Sequence, residues 1–415
     1  MRIGFVTQWY APEGAAAAHP TVIAQALAAR GHEVEVVTGF PNYPHGKIYD
    51  GYRMGLRAQH ETLDNIHVTR VPLVPSHNAS TIARAATYIS YAISSLRALP
   101  RLSGCDVVLV YASPATAALV GAILRKLRGV PYVLYIQDLW PDSVLESGFI
   151  KSQATARLLE SVIHRLCDAL YRSSSSVLTI APGMSQRIIG RGIKPERVEV
   201  VYNWIDEQAF RPGVSDPRVT ALVPPGTQLS VMYAGSIGEL QQLETAIFAL
   251  AEVRVDQHVH LILVGDGVAK ERVARLAAEL GVEAQVSLLP PRSIAAMADT
   301  LASADVQLIS LKDVPLLRFT IPSKVQACMS AGVPVVCAAS GDAADLIGRA
   351  GCGITVRPGD HHALAAGWRQ MAALTAKERR VMGYNGRRYY QRHFAQDKGT
   401  ALLESRLLEA AGSRS

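Results

Sequence analysis

The sequence predicts a doubly wound α/β protein built in two halves, and three features carry that expectation. Short apolar, β-branched runs alternate with helical stretches from the first residues onward, the pattern of parallel sheets covered by helices on both faces. The 415 residues exceed what one ordinary core holds and suit two domains of roughly 200 residues each. A Pro/Gly-rich stretch at 210–226 falls where a linker between two such halves belongs.

The first half opens with a strand at 3–6. A helix follows, with Pro20 placed as its first residue and Gly31 ending it. Further strands are expected at 34–38, 107–111, 132–136, 177–180 and 198–202. Between the second and third, Ile82, Ala86, Ile89, Ile93 and Leu96 recur at helical spacing, with Arg84, Arg97 and Arg101 close by. Two readings stand for this stretch: a helix packed on the sheet, or a basic amphipathic helix lying shallowly on an anionic membrane. The second half repeats the alternation, with strands at 230–234, 260–264, 285–289, 305–309, 333–337 and 353–356. The tail, 376–411, reads as helical and polar on one face.

Composition narrows the function classes. A 49% hydrophobic chain supports large cores and argues against disorder. Its five cysteines are scattered with no CxxC pair, so neither a disulfide framework nor a zinc site is indicated, which suits a reducing cytoplasm. The first apolar run is too short for a signal peptide, and the longest later one, at 81–99, is broken by Arg84 and Arg97. The expectation is a cytoplasmic protein that spans no bilayer. A net charge of +7 fits anionic partners such as nucleotide phosphates, a diphospholipid or an acidic membrane surface. No nucleic-acid motif occurs and only 6% of residues are aromatic, so nucleic acid is not an expected partner.

The turn after the first strand lacks GxGxxG, and the second ends in Val37-Thr38-Gly39 without a ribose-binding acid, which disfavours a dinucleotide oxidoreductase. There is no Walker A sequence, and His32-Glu33-Val34-Glu35-Val36 is not HExxH. Gly265-Asp266-Gly267 reads first as a tight strand-to-helix turn. Two segments point to chemistry. In Tyr135-Ile136-Gln137-Asp138-Leu139-Trp140-Pro141-Asp142-Ser143 a polar pair stands where an apolar strand stops, the position at which open α/β sheets bind ligands. In Ile321-Pro322-Ser323-Lys324 a lysine opens a helix, where backbone N–H groups and the helix dipole already favour an anion.

These segments, with Pro12-Glu13, Arg30-Gly31-His32-Glu33-Val34, Gly39-Phe40-Pro41-Asn42-Tyr43-Pro44, Val201-Tyr202-Asn203-Trp204-Ile205-Asp206 and Tyr233-Ala234-Gly235-Ser236-Ile237-Gly238, run in order across nearly the whole chain. The sequence resembles glycosyltransferase family 4, in particular the WbuB-like transferases of O-antigen, capsule and exopolysaccharide synthesis. The resemblance implies a GT-B fold of two facing Rossmann-like doubly wound domains with an interdomain cleft. It places an acceptor domain at 1–205, a nucleotide-sugar domain at 206–394, and a helix crossing back at 395–415. It also implies a metal-independent, retaining transferase without a cofactor, using a nucleotide-sugar, UDP-linked in expectation, on a polyprenyl-diphosphate-linked saccharide. Meeting such an acceptor implies peripheral contact with the inner leaflet.

Residue by residue, the resemblance assigns Asp138 to catalysis on the acceptor side. It assigns Gly14, Ala15, Gly235, Ser236, Gln241, Gly265, Arg318, Ser323 and Lys324 to the donor, and Tyr10, Asn42, Tyr43, His45 and Gln137 to the acceptor side. Asn203 and Asp206 read as turn formers at the interdomain connection. The departures are specific. Ala15 takes the place of one of two loop glycines, and Gln137 that of a histidine. Ser236 and Gln241 stand where the family has a diphosphate-binding Arg and Lys, and Phe319 and Ala327 where it has a pair of glutamates. Arg318 and Lys324 are the side chains that could restore charge. Loss of those groups keeps one rival open, a catalytically impaired GT-B subunit that binds a partner transferase or glycan; a further alternative on the same fold is a GT-B nucleotide-sugar epimerase, which needs several acids and histidines in its cleft.

Overall fold

The computed structural model describes residues 1–76, 81–140, 153–253 and 258–413. It divides into two compact units, Met1–Asn203 with Gly399–Ser415, and Trp204–Lys398.

Unit 1 is an eight-stranded sheet of β1 (Arg2–Val6), β2 (Glu33–Gly39), β3 (Gln59–Leu63), β4 (Ile66–Val71), β5 (Val107–Ala112), β6 (Tyr132–Ile136), β7 (Ser176–Thr179) and β8 (Val198–Val200), ordered β3-β4-β2-β1-β5-β6-β7-β8. Helices α1 (Ala15–Ala29), α2 (Thr81–Ser95), α3 (Ala118–Arg128), α4 (Gln153–Ser173) and α5 (Pro182–Gly190) belong to it. Every residue of β5 and β6 is buried, which is why both read as unbroken apolar runs. The order reverses between β1 and β5, so the carboxyl ends of β1, β5 and β6 meet at a topological switch point.

Three expectations change in unit 1. The antiparallel hairpin β3–β4 is additional to the strands foreseen. β3 is a polar edge strand, Gln-His-Glu-Thr-Leu, with no apolar face to reveal it, and the hairpin turns at Asp64 and Asn65, whose φ values of 50° and 62° suit a two-residue turn. Helix α1 starts at Ala15, so Pro20 lies inside it; the hydrogen bond proline cannot donate would go to Ala16 in the first turn, where the loss is smallest. Helix α2 meets the sheet through a different stripe from the isoleucines. Tyr91 is fully buried and its hydroxyl lies 2.7 Å from the Thr7 carbonyl, while Ile89 and Ile93 are 54% and 56% exposed. The side chain of Ile82 lies outside the described residues.

Unit 2 has the strands β9 (Leu229–Ala234), β10 (Val259–Val264), β11 (Val286–Leu289), β12 (Val306–Ser310), β13 (Val335–Ala338) and β14 (Gly353–Val356), all parallel in the order β11-β10-β9-β12-β13-β14. Its helices are α6 (Glu244–Val253), α7 (Lys270–Glu279), α8 (Ser323–Ala331), α9 (Asp342–Ala350), α10 (His361–Ala373) and α11 (Ala376–His393). Leu229, Val231, Tyr233, Leu261, Leu263, Ile247, Leu250 and Trp368 form the centre of its core. Its switch point lies between β9 and β12.

The Pro/Gly-rich stretch is docked on unit 2. The Val214 amide donates to Asp299 at 3.0 Å, the Asp216 amide to Ser303 at 2.8 Å, and Val219 is buried. A Cβ on Gly213 would stand 2.2 Å from the Ala298 carbonyl oxygen, so glycine serves close approach here rather than looseness. The last helix, α12 (Gln396–Gly412), counts with unit 1 from Gly399 onward. Leu403 and Leu407 are buried on it, and Glu404 holds Arg30 at 2.9 Å and His32 at 2.7 Å.

Candidate functional site

In unit 2 the chain leaves β9 through Gly235 and β10 through Gly265, at φ of 139° and 148°, and the two turns stack on each other. A Cβ on Gly265 would fall 1.9 Å from the Gly235 carbonyl oxygen, and one on Gly235 would fall 2.5 Å from Lys324 Cε. Only glycine permits this bare backbone floor. Over it opens a cavity of about 530 Å³ at the β9/β12 switch point, lined by Gly235, Ser236, Gln241, Ser310, Ser323 and Lys324 among others. A smaller lobe of about 280 Å³ shares Ala234, Gly235, Ser236 and Met297 and reaches Gly265, Asp266, Pro291 and Arg292.

Lys324 is half-buried in the second residue of α8, with Nζ 3.3 Å from the ring centroid of Tyr233. Burial pulls its pKa down to about 7. The Tyr233 ring favours the ammonium form, and the Tyr233 hydroxyl is anchored on the Ser236 carbonyl at 2.5 Å. A cation on an aromatic face beside exposed backbone suits a diphosphate, which would supply the counter-charge. Gln241 lines the cavity, but its Oε1 accepts from the Gly238 amide at 3.1 Å and shapes the turn. Arg318 is not brought to the cavity: it is exposed and forks onto Asp313 at 2.9 and 3.0 Å. Ala327 lines the apolar wall.

In unit 1 Asp138 follows β6 at its carboxyl end and accepts from the Ser113 hydroxyl at 2.9 Å. Surrounding protein raises its carboxyl above the usual range, and the Ser113 bond opposes this. Beside it, Asn203 Nδ2 lies 2.8 Å from Gln137 Oε1, and the Tyr135 hydroxyl 2.7 Å from Asn203 Oδ1. Asn203 thus fixes Gln137 next to Asp138. The stretch Pro141-Asp142-Ser143 lies outside the described residues.

Each half of the chain also matches a family model, residues 14–204 to a glycosyl transferase 4-like domain and 220–389 to glycosyl transferases group 1. The chain belongs to glycosyltransferase family 4. This transferase is 29% identical over 363 residues to the putative colanic acid biosynthesis glycosyl transferase WcaI of Escherichia coli K12, covering 84% of the chain and 86% of that relative. It is 25% identical to the probable glycosyltransferase WbjE of Pseudomonas aeruginosa, over 65% of the chain and 67% of the relative. In fold, HepE from Anabaena, solved in complex with UDP, superposes with a TM-score of 0.68 at 18% identity, covering 99% of this chain and all of that one. The two Rossmann-like units are those of the GT-B fold.

The other expected acceptor-side residues of this glycosyltransferase are not on one surface. Tyr10 is 1% exposed, with a hydroxyl pushed up to about 12 by burial, and Asn42 is buried with its amide on the Phe40 carbonyl at 2.8 Å. Glu13 ties the backbones of their two loops together. Its carboxylate accepts from the amides of Asn42 at 2.8 Å, Tyr43 at 2.9 Å and Tyr10 at 3.2 Å. Tyr43 is half-buried against Trp9, and His45 is exposed. Gly14 caps α1 with open space where a Cβ would stand; the side chain of Ala15 lies outside the described residues. Asp206 accepts from the amides of Gln208 and Ala209 at 2.9 and 3.0 Å, a turn former as expected.

Three contributors carried no sequence signal strong enough to single them out as site residues: Arg292, Ser113 and Glu13. The Glu13 position within Pro12-Glu13 was the nearest to a clue. Among the described residues, the grouping with metal-ligand spacing is Glu252, His361 and His362, with ligand atoms within 4.8 Å of one another. None of them lines the cavity, and Glu252 already accepts from Arg369 at 3.0 Å. Among the described residues no helix is long and apolar enough to cross a membrane.

Proposed function

We propose that the protein is a retaining, metal-independent glycosyltransferase of bacterial surface-polysaccharide assembly. It takes a sugar from a nucleotide-sugar, UDP-linked by preference, in unit 2 and moves it to a polyprenyl-diphosphate-linked saccharide held by unit 1. The observation that carries this reading is Lys324, a half-buried cation on the Tyr233 ring beside the bare backbone of Gly235, in a cavity at a switch point. The names of its relatives, a colanic acid transferase and WbjE, support the polysaccharide setting, and the UDP bound by HepE supports the donor.

On this reading the start of α8 and Lys324 bind the diphosphate and stabilise charge on the leaving phosphate. Asp138, steadied by Ser113 and flanked by Gln137, orients the acceptor hydroxyl. Helix α2 of unit 1 meets the membrane that carries a lipid-linked acceptor: exposed Ile89 and Ile93 stand on this helix, with exposed Arg97 beside its end. The protein works peripherally at the cytoplasmic leaflet.

The test is incubation of the purified protein with a panel of labelled UDP-, GDP- and TDP-sugars and a polyprenyl-diphosphate disaccharide. Label appearing in the lipid product establishes the reading. A donor converted without any acceptor identifies an epimerase, and binding of glycan with no turnover of any donor identifies an impaired subunit.

A further inference from the structure

Helix α11 has two faces, and the core of unit 2 accounts for one of them. The inward face runs through Arg379, Gly383, Gly386 and Tyr390, at helical spacing. A Cβ on Gly383 would stand 2.0 Å from the Gly332 carbonyl oxygen, and one on Gly386 2.9 Å from Cys352 Cβ, so the helix is seated through bare backbone. Arg379 pairs with Asp305 at 3.0 Å, and Arg387, beside this face, donates to the Ser330 carbonyl at 2.6 Å.

The outward face runs through Lys377, Arg380, Val381, Tyr384, Arg388 and Arg392, all exposed. Val381 and Tyr384 stand 52% and 59% exposed at its centre, with the Arg388 guanidinium 5.8 Å from the centroid of the Tyr384 ring. Among the described residues none of these four cations forms an ion pair, and neither does exposed Arg349 in the last turn of α9. The end of α9 is tied to α11 by Asn385, which donates to the Gly351 carbonyl at 3.3 Å. Burial, and then the charges of Arg392 and Arg349, lower the pKa of His393, so both cations act on one imidazole. Glu378, the acid of the helix, is taken up by Thr375 at the N-terminal cap at 2.7 and 2.8 Å.

We propose that the outward face of α11 docks unit 2 on an anionic lipid surface, with Val381 and Tyr384 at headgroup depth and the arginines on lipid phosphates. The inference rests on the reading of a lipid-linked acceptor and gives unit 2 a leaflet contact of its own, in addition to α2 of unit 1. Charge and shape favour this occupant. Four unpaired cations along about 22 Å of helix match a surface that presents many phosphates over the same length. Tyrosine, with an apolar ring and a polar tip, suits the boundary between headgroups and acyl chains. A nucleic acid would meet the same cations but leave Val381 against phosphates, whereas a leaflet takes the charge and the apolar contact together.

The test follows binding of the purified protein to vesicles of phosphatidylcholine with and without phosphatidylglycerol. The five native cysteines are buried, so an environment-sensitive dye on Tyr384→Cys reports from this face alone. Its emission should shift to the blue on the phosphatidylglycerol vesicles and stay put on pure phosphatidylcholine. Arg388→Ala with Arg392→Ala should weaken vesicle binding at least about tenfold, each charge contributing roughly fivefold. Arg218→Ala with Arg275→Ala, which removes the same charge from exposed positions elsewhere on unit 2, should leave binding unchanged; circular dichroism confirms that each variant is folded. An unmoved dye on a protein that binds the vesicles would overturn the proposal, as would equal losses in the two double variants, which would mark an effect of net charge. Binding of single-stranded RNA that is lost in the Arg388 and Arg392 variant, with vesicles ignored, would assign the face to nucleic acid and overturn it too. A blue-shifted dye without transfer to a polyprenyl-diphosphate saccharide would uphold the contact and overturn the acceptor reading, whereas transfer with an unmoved dye overturns only the role of α11.

Discussion

The proposed donor chemistry of unit 2 rests on Lys324, and the environment of that side chain makes two measurable claims. Lys324→Ala removes a charge-assisted contact of about 1.5–3 kcal/mol, so UDP affinity and turnover should fall roughly ten- to a hundredfold, read by titration and by initial rates. Because burial holds its pKa at about 7, below the ordinary 10.5, the unfolded chain binds the extra proton between those values. Stability contributed by this group therefore rises with pH across that window and is lowest below it. A diphosphate arriving on the ammonium reverses the depression, so UDP binding near pH 8 should take up to about one proton from the buffer. Calorimetry in buffers of different ionisation heat measures that uptake, and Lys324→Ala should abolish it. Asp138 is the matching residue in unit 1. Asp138→Asn should lower kcat with little change in UDP affinity, since an acceptor-orienting carboxylate acts in the transition state; full turnover would leave Asp138 a cap of its turn.

At the level of elements, the β3–β4 hairpin shows how a polar edge strand goes unread, and α2 how a helix is read correctly in kind while the stripe that meets the sheet is not. The turn at Asp64 and Asn65 holds both residues at positive φ, which glycine adopts freely and β-branched residues resist. Asn65→Gly should leave stability unchanged or slightly higher, and Asn65→Val should lower it by about 1–2 kcal/mol in a denaturant melt. Helix α2 has two stripes at helical spacing. Thr87, Tyr91 and Ser94 won the sheet because the Tyr91 hydroxyl reaches the carbonyls of Thr7 and Val37, at 2.7 and 3.1 Å. That leaves the isoleucines outward, where a leaflet contact needs them. Ile93→Asp with Arg97→Glu should reduce binding to phosphatidylglycerol vesicles by about 1 kcal/mol or more while leaving transfer to a short soluble acceptor intact. Unaltered vesicle binding would restrict α2 to covering the sheet.

For the whole molecule, the two units imply separable responses. UDP at a hundred times its dissociation constant should stabilise the protein by about 2.7 kcal/mol, and EDTA should leave both that shift and turnover unchanged. Activity lost to EDTA and restored by Mn²⁺ would remove metal independence from the proposed mechanism. Unit 1 depends on a segment far along the chain: α12 buries Leu403 and Leu407, and Glu404 holds Arg30 and His32. Leu403→Ala should cost about 2–5 kcal/mol in a chemical melt, a penalty typical of a truncated core leucine. A loss below about 1 kcal/mol would show that α12 contributes little to the unit.

The sequence by itself determined the strand series apart from β3 and β4, the two doubly wound units, the position of Asp138 beyond β6 and that of Lys324 at the start of α8. Those follow from local signals: β-branched runs, glycine at turns, and polar residues at strand ends. It could not determine which face of α2 meets the sheet, because two stripes satisfy the same period. Nor could it show that residues 210–226 pack on unit 2, since proline and glycine mark close approach as readily as freedom. The fates of Arg318 and Arg292 were settled only in three dimensions. Arg318 was a candidate to restore the missing charge but pairs with Asp313, whereas Arg292 stands in no motif and lines the smaller lobe. A charged side chain belongs to whichever group folding brings within reach, and that neighbour is set by the meeting of strand ends remote in sequence.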